Sequence, residues 1–155
     1  MHWLNFNLGK LTVNAKAKSF IVVSIRNVNG CAHGEHLLPL LVTLIDSHAP
    51  DHRVITNRGV VVHFRTSKRK FKRVRTLVAQ AESLRARDAR FAELKIGVAE
   101  GELTGEFDWF GRVKSYGYVG LFGGANLEAV RSETTPGACK EKLRSIAQHL
   151  DVQAA

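Results

Sequence analysis

The stretch that decides the fold is Asn57-Arg58-Gly59-Val60-Val61-Val62-His63-Phe64. A short polar turn with a glycine behind it leads into a β-branched apolar run, which is typical of a buried strand. Because residues 54–56 are also β-branched, the pattern predicts a hairpin of two short strands around the turn at residues 57–58. Thr66 or Ser67 follows as the predicted N-cap of a long helix.

Elements on both sides of this hairpin complete an α+β pattern. Apolar spacing predicts, in chain order, a strand over residues 19–25, a helix over 33–48, the hairpin, the long helix, a strand over 94–103, and helices over 125–131 and 140–150. The order β-α-β-β-α-β is that of a ferredoxin-like α+β sandwich, here followed by a C-terminal helix. No linker or internal repeat interrupts the pattern, so we expect one domain over residues 1–155.

The composition is that of an ordinary globular protein with a surplus of positive charge. Of 155 residues, 45% are hydrophobic and 24% are charged, which is enough for one domain with a core. The formal net charge of +9 favours anionic partners such as nucleic acid or nucleotides. Cys31 and Cys139 are too few for a disulfide framework. We expect no signal peptide, no membrane partner and a cytoplasmic location.

Three more segments, taken with the hairpin, carry a resemblance to a known family. They are Ile25-Arg26-Asn27-Val28-Asn29-Gly30, Ile96-Gly97-Val98-Ala99-Glu100-Gly101-Glu102 and Asn126-Leu127-Glu128-Ala129. In this order, over residues 20–131, they resemble the catalytic domain of class III nucleotidyl cyclases, the adenylate and guanylate type. The resemblance implies a palm-like version of the ferredoxin-like sheet, and a nucleoside triphosphate as the ligand.

The resemblance puts Asn27 and Arg58 at the positions of that family's two metal-binding aspartates. A cyclase uses two metal ions, held by those carboxylates, to activate the ribose 3′-hydroxyl and to neutralise the triphosphate. Asn27 offers one neutral oxygen, and Arg58 is a fixed positive charge that cannot bind a cation. We therefore expect a degenerate site without Mg²⁺ or Mn²⁺, and we assign no catalytic residue.

The nucleotide-binding residues that the resemblance implies are Asn27, Gly30, Arg58, Asn126 and Arg131. The family's nucleotide-contacting asparagine is matched by Asn126, but its arginine four residues later is matched by Val130, one position before Arg131. Cyclase sites form between two domains, which implies a homodimer or a heterodimer with a cyclase-like chain. The leading hypothesis is a non-catalytic nucleotide-binding or dimer-partner module with a regulatory role.

An active cyclase that makes cyclic nucleotides is the first alternative, and it needs a rearranged metal site. Glu100, Glu102 and Glu106 share the parity of the apolar residues in their strand. A regular strand would therefore place these carboxylates on one face, where they can hold Mg²⁺ or Mn²⁺. Asp108 is a further candidate ligand. The competing interpretation is a solvated strand end that holds no metal.

A basic nucleic-acid-binding domain is the second alternative, and it rests on Lys68-Arg69-Lys70-Phe71-Lys72-Arg73-Val74-Arg75. Phe71 and Val74 belong to the apolar face of the predicted helix. The candidate anion-binding residues around the rest of it are Lys68, Arg69, Lys70, Lys72, Arg73 and Arg75. Like charges one turn apart cost stability, and contacts to phosphates would relieve them. The competing interpretation is a solvated face without a ligand.

Two weaker patterns stay open. The segment Gly117-x-x-Gly120-x-x-Gly123-Gly124 precedes a helix, so it can present backbone N–H groups to a phosphate or form a flexible aromatic loop. Cys31, His33 and His36 have the chemistry of zinc ligands, but they lack a fourth ligand at a recognisable spacing. An ordinary polar helix start is therefore favoured there.

Overall fold

The computed structural model describes residues 18–27, 34–56, 59–103, 106–107, 113–115 and 124–152. The strands are β1 (Lys18–Asn27), β2 (His52–Thr56), β3 (Gly59–Arg65), β4 (Leu94–Leu103), β5 (Glu106–Phe107) and β6 (Val113–Ser115). The helices are α1 (Gly34–Asp46), α2 (Lys68–Arg87), α3 (Gly124–Ser132) and α4 (Ala138–Leu150), and a 3-10 turn covers Ala89–Phe91.

Strands β1 to β4 form one antiparallel sheet in the order β2-β3-β1-β4. The predicted hairpin is confirmed, because β2 and β3 pair directly and Thr56 lies opposite Gly59 at the turn. β5 and β6 form a separate two-stranded pair. This mixed architecture, a four-stranded antiparallel sheet with helices, confirms the predicted α+β class.

β1 is buried on both of its faces. All residues from 20 to 25 have an exposed fraction of 0%. Successive side chains of a strand point to opposite faces. The odd-numbered side chains therefore pack with α1, α2 and α4, and the even-numbered ones lie on the face that α3 covers. The continuous apolar run in the sequence is the signature of this two-sided burial.

α2 begins at one of the two predicted caps. Ser67 Oγ accepts a hydrogen bond from the Lys70 backbone N–H at 3.0 Å, as an N-cap side chain does. The buried side chains of this helix are Phe71, Val74, Leu77, Val78 and Ala81. Phe71 and Val74, which the sequence assigned to the apolar face, are among them, so the prediction of that face is confirmed.

α3 crosses the second face of the sheet in direct contact with β4. A Cβ atom at Gly97 would overlap the Ala129 carbonyl oxygen and would lie 2.7 Å from Ser132 Oγ. Only glycine therefore permits this approach of helix to strand. Ser132 Oγ also accepts a hydrogen bond from the Val98 N–H at 2.9 Å, which ties the end of the helix to the edge strand.

The edge strand β4 receives a second side-chain contact from the opposite layer. The Arg85 guanidinium on α2 donates to the Leu94 carbonyl oxygen at 3.3 Å. Together with the Ser132 hydroxyl, it occupies backbone groups of a strand that, among the described strands, has a neighbour on one side only.

The bounds of two helices differ slightly from the prediction. α1 ends at Asp46 rather than at residue 48, and a turn follows in which Ala49 has a φ of 49°. α4 begins at Ala138 rather than at residue 140, behind Gly137 with a φ of 77°. Each of these helix ends lies near a residue in the left-handed conformation, Ala49 after α1 and Gly137 before α4. The spacing of apolar residues does not indicate such a residue, so the predicted bounds differ from the observed ones.

We expect Gly97→Ala to destabilise the protein by about 1–3 kcal/mol, the usual cost of overpacking a closed contact. The added methyl group meets a carbonyl of the helix backbone, which cannot rotate away. Urea unfolding followed by circular dichroism measures the free energy of unfolding. Ala86→Ser adds one heavy atom on the exposed side of α2 and is the matched control. An unchanged midpoint for Gly97→Ala would contradict the close contact.

Candidate functional site

The end of β3 and the first two turns of α2 carry a basic surface, which we define as Arg65, Lys68, Arg69, Lys72 and Arg73. Within the part of the chain that the structure describes, none of these side chains forms an ion pair. The helical members cover an arc of roughly 140°, at about 100° per residue, opposite the buried face. Arg65 is exposed at the end of β3, and the sequence pattern did not indicate it.

Two of the predicted anion-binding residues are engaged within the domain instead. Lys70 Nζ donates to the Ala49 carbonyl oxygen at 3.0 Å and lies 3.5 Å from Asp51 Oδ2. The Arg75 guanidinium lies over the Phe71 ring, 5.2 Å from its centroid, in a cation–π contact. The basic surface is therefore narrower than the charge run in the sequence.

Asn27 lies at the other end of the sheet, beside the start of β3. It is the last residue of β1, and its neighbour Arg26 pairs with Gly59, the first residue of β3. A Cβ atom at Gly59 would overlap the Ile25 carbonyl oxygen, and its φ of 147° also favours glycine. The structure thus brings Asn27 next to Gly59, the residue that follows Arg58.

Several predicted site residues lie outside the described residues. These are Gly30, Arg58, Cys31, His33, Asp108 and the glycine-rich segment up to residue 123. For His36 and Glu106, only the backbone is described.

The basic surface and Asn27 occupy opposite ends of the sheet. β3 begins beside the end of β1 and finishes at Arg65, immediately before α2. At about 3.4 Å per residue, the strand spans roughly 20 Å. A small ligand cannot contact both ends, so the two candidate sites are independent of each other.

Asn126 is enclosed within the domain. Its exposed fraction is 4%, and its Oδ1 lies 2.6 Å from His63 Nε2. Because an amide oxygen only accepts, His63 Nε2 carries the proton of this hydrogen bond. Arg131, five positions later on α3, is exposed and lies 3.5 Å from the Glu128 carboxylate. The two side chains have different surroundings, and their nucleotide contacts stay predictions.

A buried ion pair holds the end of α3 against β1. The Glu133 side chain has an exposed fraction of 0%, and it accepts hydrogen bonds from Arg26 Nη2 at 2.7 Å and from Arg26 Nε at 2.9 Å. The Ser24 hydroxyl donates to the same carboxylate. The hydrogen bond to Glu133 raises the pKa of Arg26. The sequence did not indicate this cluster, because a lone glutamate after a helix has no distinctive pattern.

His52 and His63 form a cross-strand pair of imidazoles. They lie directly opposite each other on β2 and β3, and their ring centroids are 5.5 Å apart. Burial lowers the pKa of His63 to about 4, although its hydrogen bond with Asn126 acts in the opposite direction. Burial also lowers the pKa of His52, and the charge of Arg53 adds to this effect. Both rings are therefore neutral at pH 7.

Of the carboxylates of the alternative metal site, the structure describes the side chains of Glu100 and Glu102. Glu100 Oε2 lies 3.9 Å from His149 Nε2 on α4, and Glu102 is exposed. Among the described residues, no group of three or more His, Cys, Asp or Glu side chains is placed to hold a metal ion.

Comparison with protein-family models, with curated proteins and with solved structures finds no match to this chain. The resemblance to class III cyclases therefore stays a prediction from the sequence. Of the helices that the structure describes, none combines the length and the apolar character of a membrane span.

We expect the stability of the protein to fall between pH 6.5 and pH 4 because of His63. Its imidazole binds a proton near pH 6.5 in the unfolded chain but only near pH 4 in the folded one. The stabilising contribution is complete above pH 6.5 and is lost as the pH falls towards 4, by about 3 kcal/mol at most. Urea unfolding midpoints measured across this pH range give the slope of stability against pH.

The variant His63→Gln should flatten this dependence, since glutamine keeps a polar group beside Asn126 but does not titrate. His149→Gln, which changes an exposed histidine on α4, is the matched control. The same slope in His63→Gln and in the wild type would show that His63 is not a neutral buried group.

Proposed function

We propose that this chain is a polyanion-binding domain whose ligand is the phosphate backbone of a nucleic acid. The observation that carries the proposal is the basic surface at the start of α2. The first turn of this helix has no acidic residue, and no described residue neutralises the surface with an ion pair. A phosphate backbone supplies the charges that the surface lacks.

The position of these charges is unfavourable for the domain without a ligand. A helix N-terminus carries a partial charge of about +0.5, so it repels Lys68 and Arg69. Like charges one turn apart, as in Lys68 with Lys72 and Arg69 with Arg73, cost about 0.2–0.5 kcal/mol per pair. A bound phosphate would reverse the sign of both effects, because the helix end and the basic side chains then attract the same anion.

The residue types of the basic surface favour contacts with the phosphate backbone of a nucleic acid over recognition of particular bases. Lys and Arg side chains on an exposed helix face match phosphate oxygens, which carry no sequence information. Each phosphate contact releases condensed counterions, so the affinity should depend strongly on salt and weakly on sequence. The net charge of +9 favours the approach of any polyanion to this surface.

We expect the triple variant Lys68→Glu, Arg69→Glu, Lys72→Glu to weaken binding to duplex DNA and RNA of any sequence. The slope of the logarithm of the binding constant against the logarithm of the salt concentration should fall by about 2 to 3, since each lost phosphate contact removes up to about 0.9. Fluorescence anisotropy across a salt series measures this slope.

The matched control is the triple variant Arg87→Glu, Lys140→Glu, Arg144→Glu. It changes the net charge by the same amount at exposed positions away from the basic surface. If both triple variants reduce the salt dependence of the binding constant equally, net charge rather than the basic surface accounts for the binding. This result would contradict the proposed site.

A second candidate function is favoured by the placement of Asn27 and by the strand order. We infer, as the alternative, a non-catalytic nucleotidyl-cyclase-like module that binds a nucleoside triphosphate or pairs with a cyclase-like chain. The order β2-β3-β1-β4, with a helix after β1 and after β3, supports assignment to the ferredoxin-like class. The position of Asn27 beside Gly59 supports a site at this end of the sheet.

For this candidate, Arg58 would pair with phosphate oxygens in place of the lost metal ions. We expect no cyclic nucleotide from ATP, GTP, CTP or UTP with Mg²⁺ or Mn²⁺. In calorimetric titration with a non-hydrolysable triphosphate, Arg58→Asp should abolish metal-free binding. Arg69→Asp makes the same charge change at the other end of the sheet and should leave it intact. Metal-dependent turnover, or equal affinity in both variants, would exclude this candidate.

A further inference from the structure

We propose that the ligand of the basic surface is RNA rather than DNA, and that Thr66, Ser19 and Glu102 recognise a ribose 2′-hydroxyl. This inference rests on the proposed function, because it requires a phosphate backbone to lie along the start of α2. We call the three side chains the polar row, since they follow one another across the end of the sheet beside the basic surface.

The polar row joins three neighbouring strand ends. Thr66 directly follows Arg65, the last residue of β3, and its backbone N–H donates to the Ser19 carbonyl oxygen at 3.0 Å. The hydroxyl oxygens of Thr66 and Ser19 lie 2.8 Å apart. Glu102 on β4 pairs directly with Ser19 on β1, so their Cβ atoms are about 4.5–5.5 Å apart. At a strand spacing of about 4.8 Å, Glu102 lies roughly 10 Å from the end of β3.

The backbone on both sides of Thr66 is fixed within the domain. The Arg65 N–H donates to Asp51 Oδ2 at 2.7 Å, and the Asp51 carboxylate also pairs with Lys70. Ser67 caps α2 through its hydrogen bond with the Lys70 N–H. The row is therefore held in place beside the basic surface before any ligand arrives, which lowers the entropic cost of binding.

The chemistry of the row suits a ligand that brings a hydrogen-bond donor. A carboxylate only accepts hydrogen bonds, whereas each hydroxyl can both donate and accept. Glu102 is exposed, and it forms no ion pair with any residue that the structure describes. A phosphate group near Glu102 is repelled, because both groups are anions. A ribose 2′-hydroxyl can instead donate to the same carboxylate, as riboses do in dinucleotide sites.

Glu102 would therefore distinguish the two nucleic acids by attraction and repulsion together. An RNA backbone on the basic surface brings a 2′-hydroxyl to the row, and the hydrogen bond that forms offsets the repulsion between Glu102 and the nearest phosphate. DNA lacks this hydroxyl, so the repulsion alone is left. Specificity often depends on such an uncompensated charge against the wrong ligand.

Fluorescence anisotropy at one fixed salt concentration tests the inference with a single sequence prepared as an RNA duplex, as its 2′-O-methyl form and as a DNA duplex. The 2′-O-methyl duplex keeps the A-form shape of RNA but has no 2′-hydroxyl donor. We expect RNA to bind about threefold to tenfold more tightly than the other two, which is the effect of one hydrogen bond. Glu102→Ala should remove this preference, mainly by strengthening the binding of DNA. Ser19→Ala should reduce the preference and leave the affinity for DNA unchanged.

Glu93→Ala is the matched control, because it removes an exposed glutamate directly before β4, at the opposite end of the sheet. It should keep the preference for RNA. Equal affinity of the wild type for RNA and its 2′-O-methyl form would overturn the inference. So would a Glu102→Ala variant that binds all three duplexes more tightly by the same factor, since this is the effect of charge alone. Both results leave the proposed function standing, which the salt slope of the triple variant tests separately. Failure of all three duplexes to bind would overturn both proposals.

Discussion

The burial of β1 on both faces is the constraint on which the rest of the structure depends. The strand is paired along both edges, so each of its faces needs a separate cover. α1, α2 and α4 supply one cover, and α3 supplies the other. A polar side chain in β1 must then find its partner inside the protein. Ser24 and Arg26 find it in Glu133, directly after α3, which links the strand to the helix that closes the second face.

The elements of the fold could be predicted from the sequence because their signals are local. The β2–β3 hairpin and the Ser67 cap each follow from a few neighbouring residues. The contacts of the second face could not be predicted, because they join residues far apart in the chain. Arg26 and Glu133 are separated by 107 positions, and His63 and Asn126 by 63. Nothing in the residues around Asn126 indicated its hydrogen bond with His63, because the packing of α3 on the sheet brings the two together.

The fold engages some basic residues of α2 within the domain and leaves others exposed. Phe71 and Val74 fix the rotation of the helix because both are fully buried. This rotation sends Lys70 towards Asp51 and leaves Lys68 and Lys72 in solvent. Periodicity in the sequence indicates the apolar face, but the partner of Lys70 comes from the connection before β2. A run of basic residues in the sequence therefore predicts a larger binding surface than the folded protein exposes.

The side-chain bonds along β4 bear on how this protein avoids aggregation. A sheet edge with unpaired backbone groups is a template on which strands of other molecules can add. Ser132 and Arg85 occupy such groups at Val98 and Leu94. Both side chains come from helices, so this protection exists only while α2 and α3 are docked. Partial unfolding that releases α3 would free the Val98 N–H while the sheet stays paired, and it would turn this edge of the sheet into a seed for polymerisation.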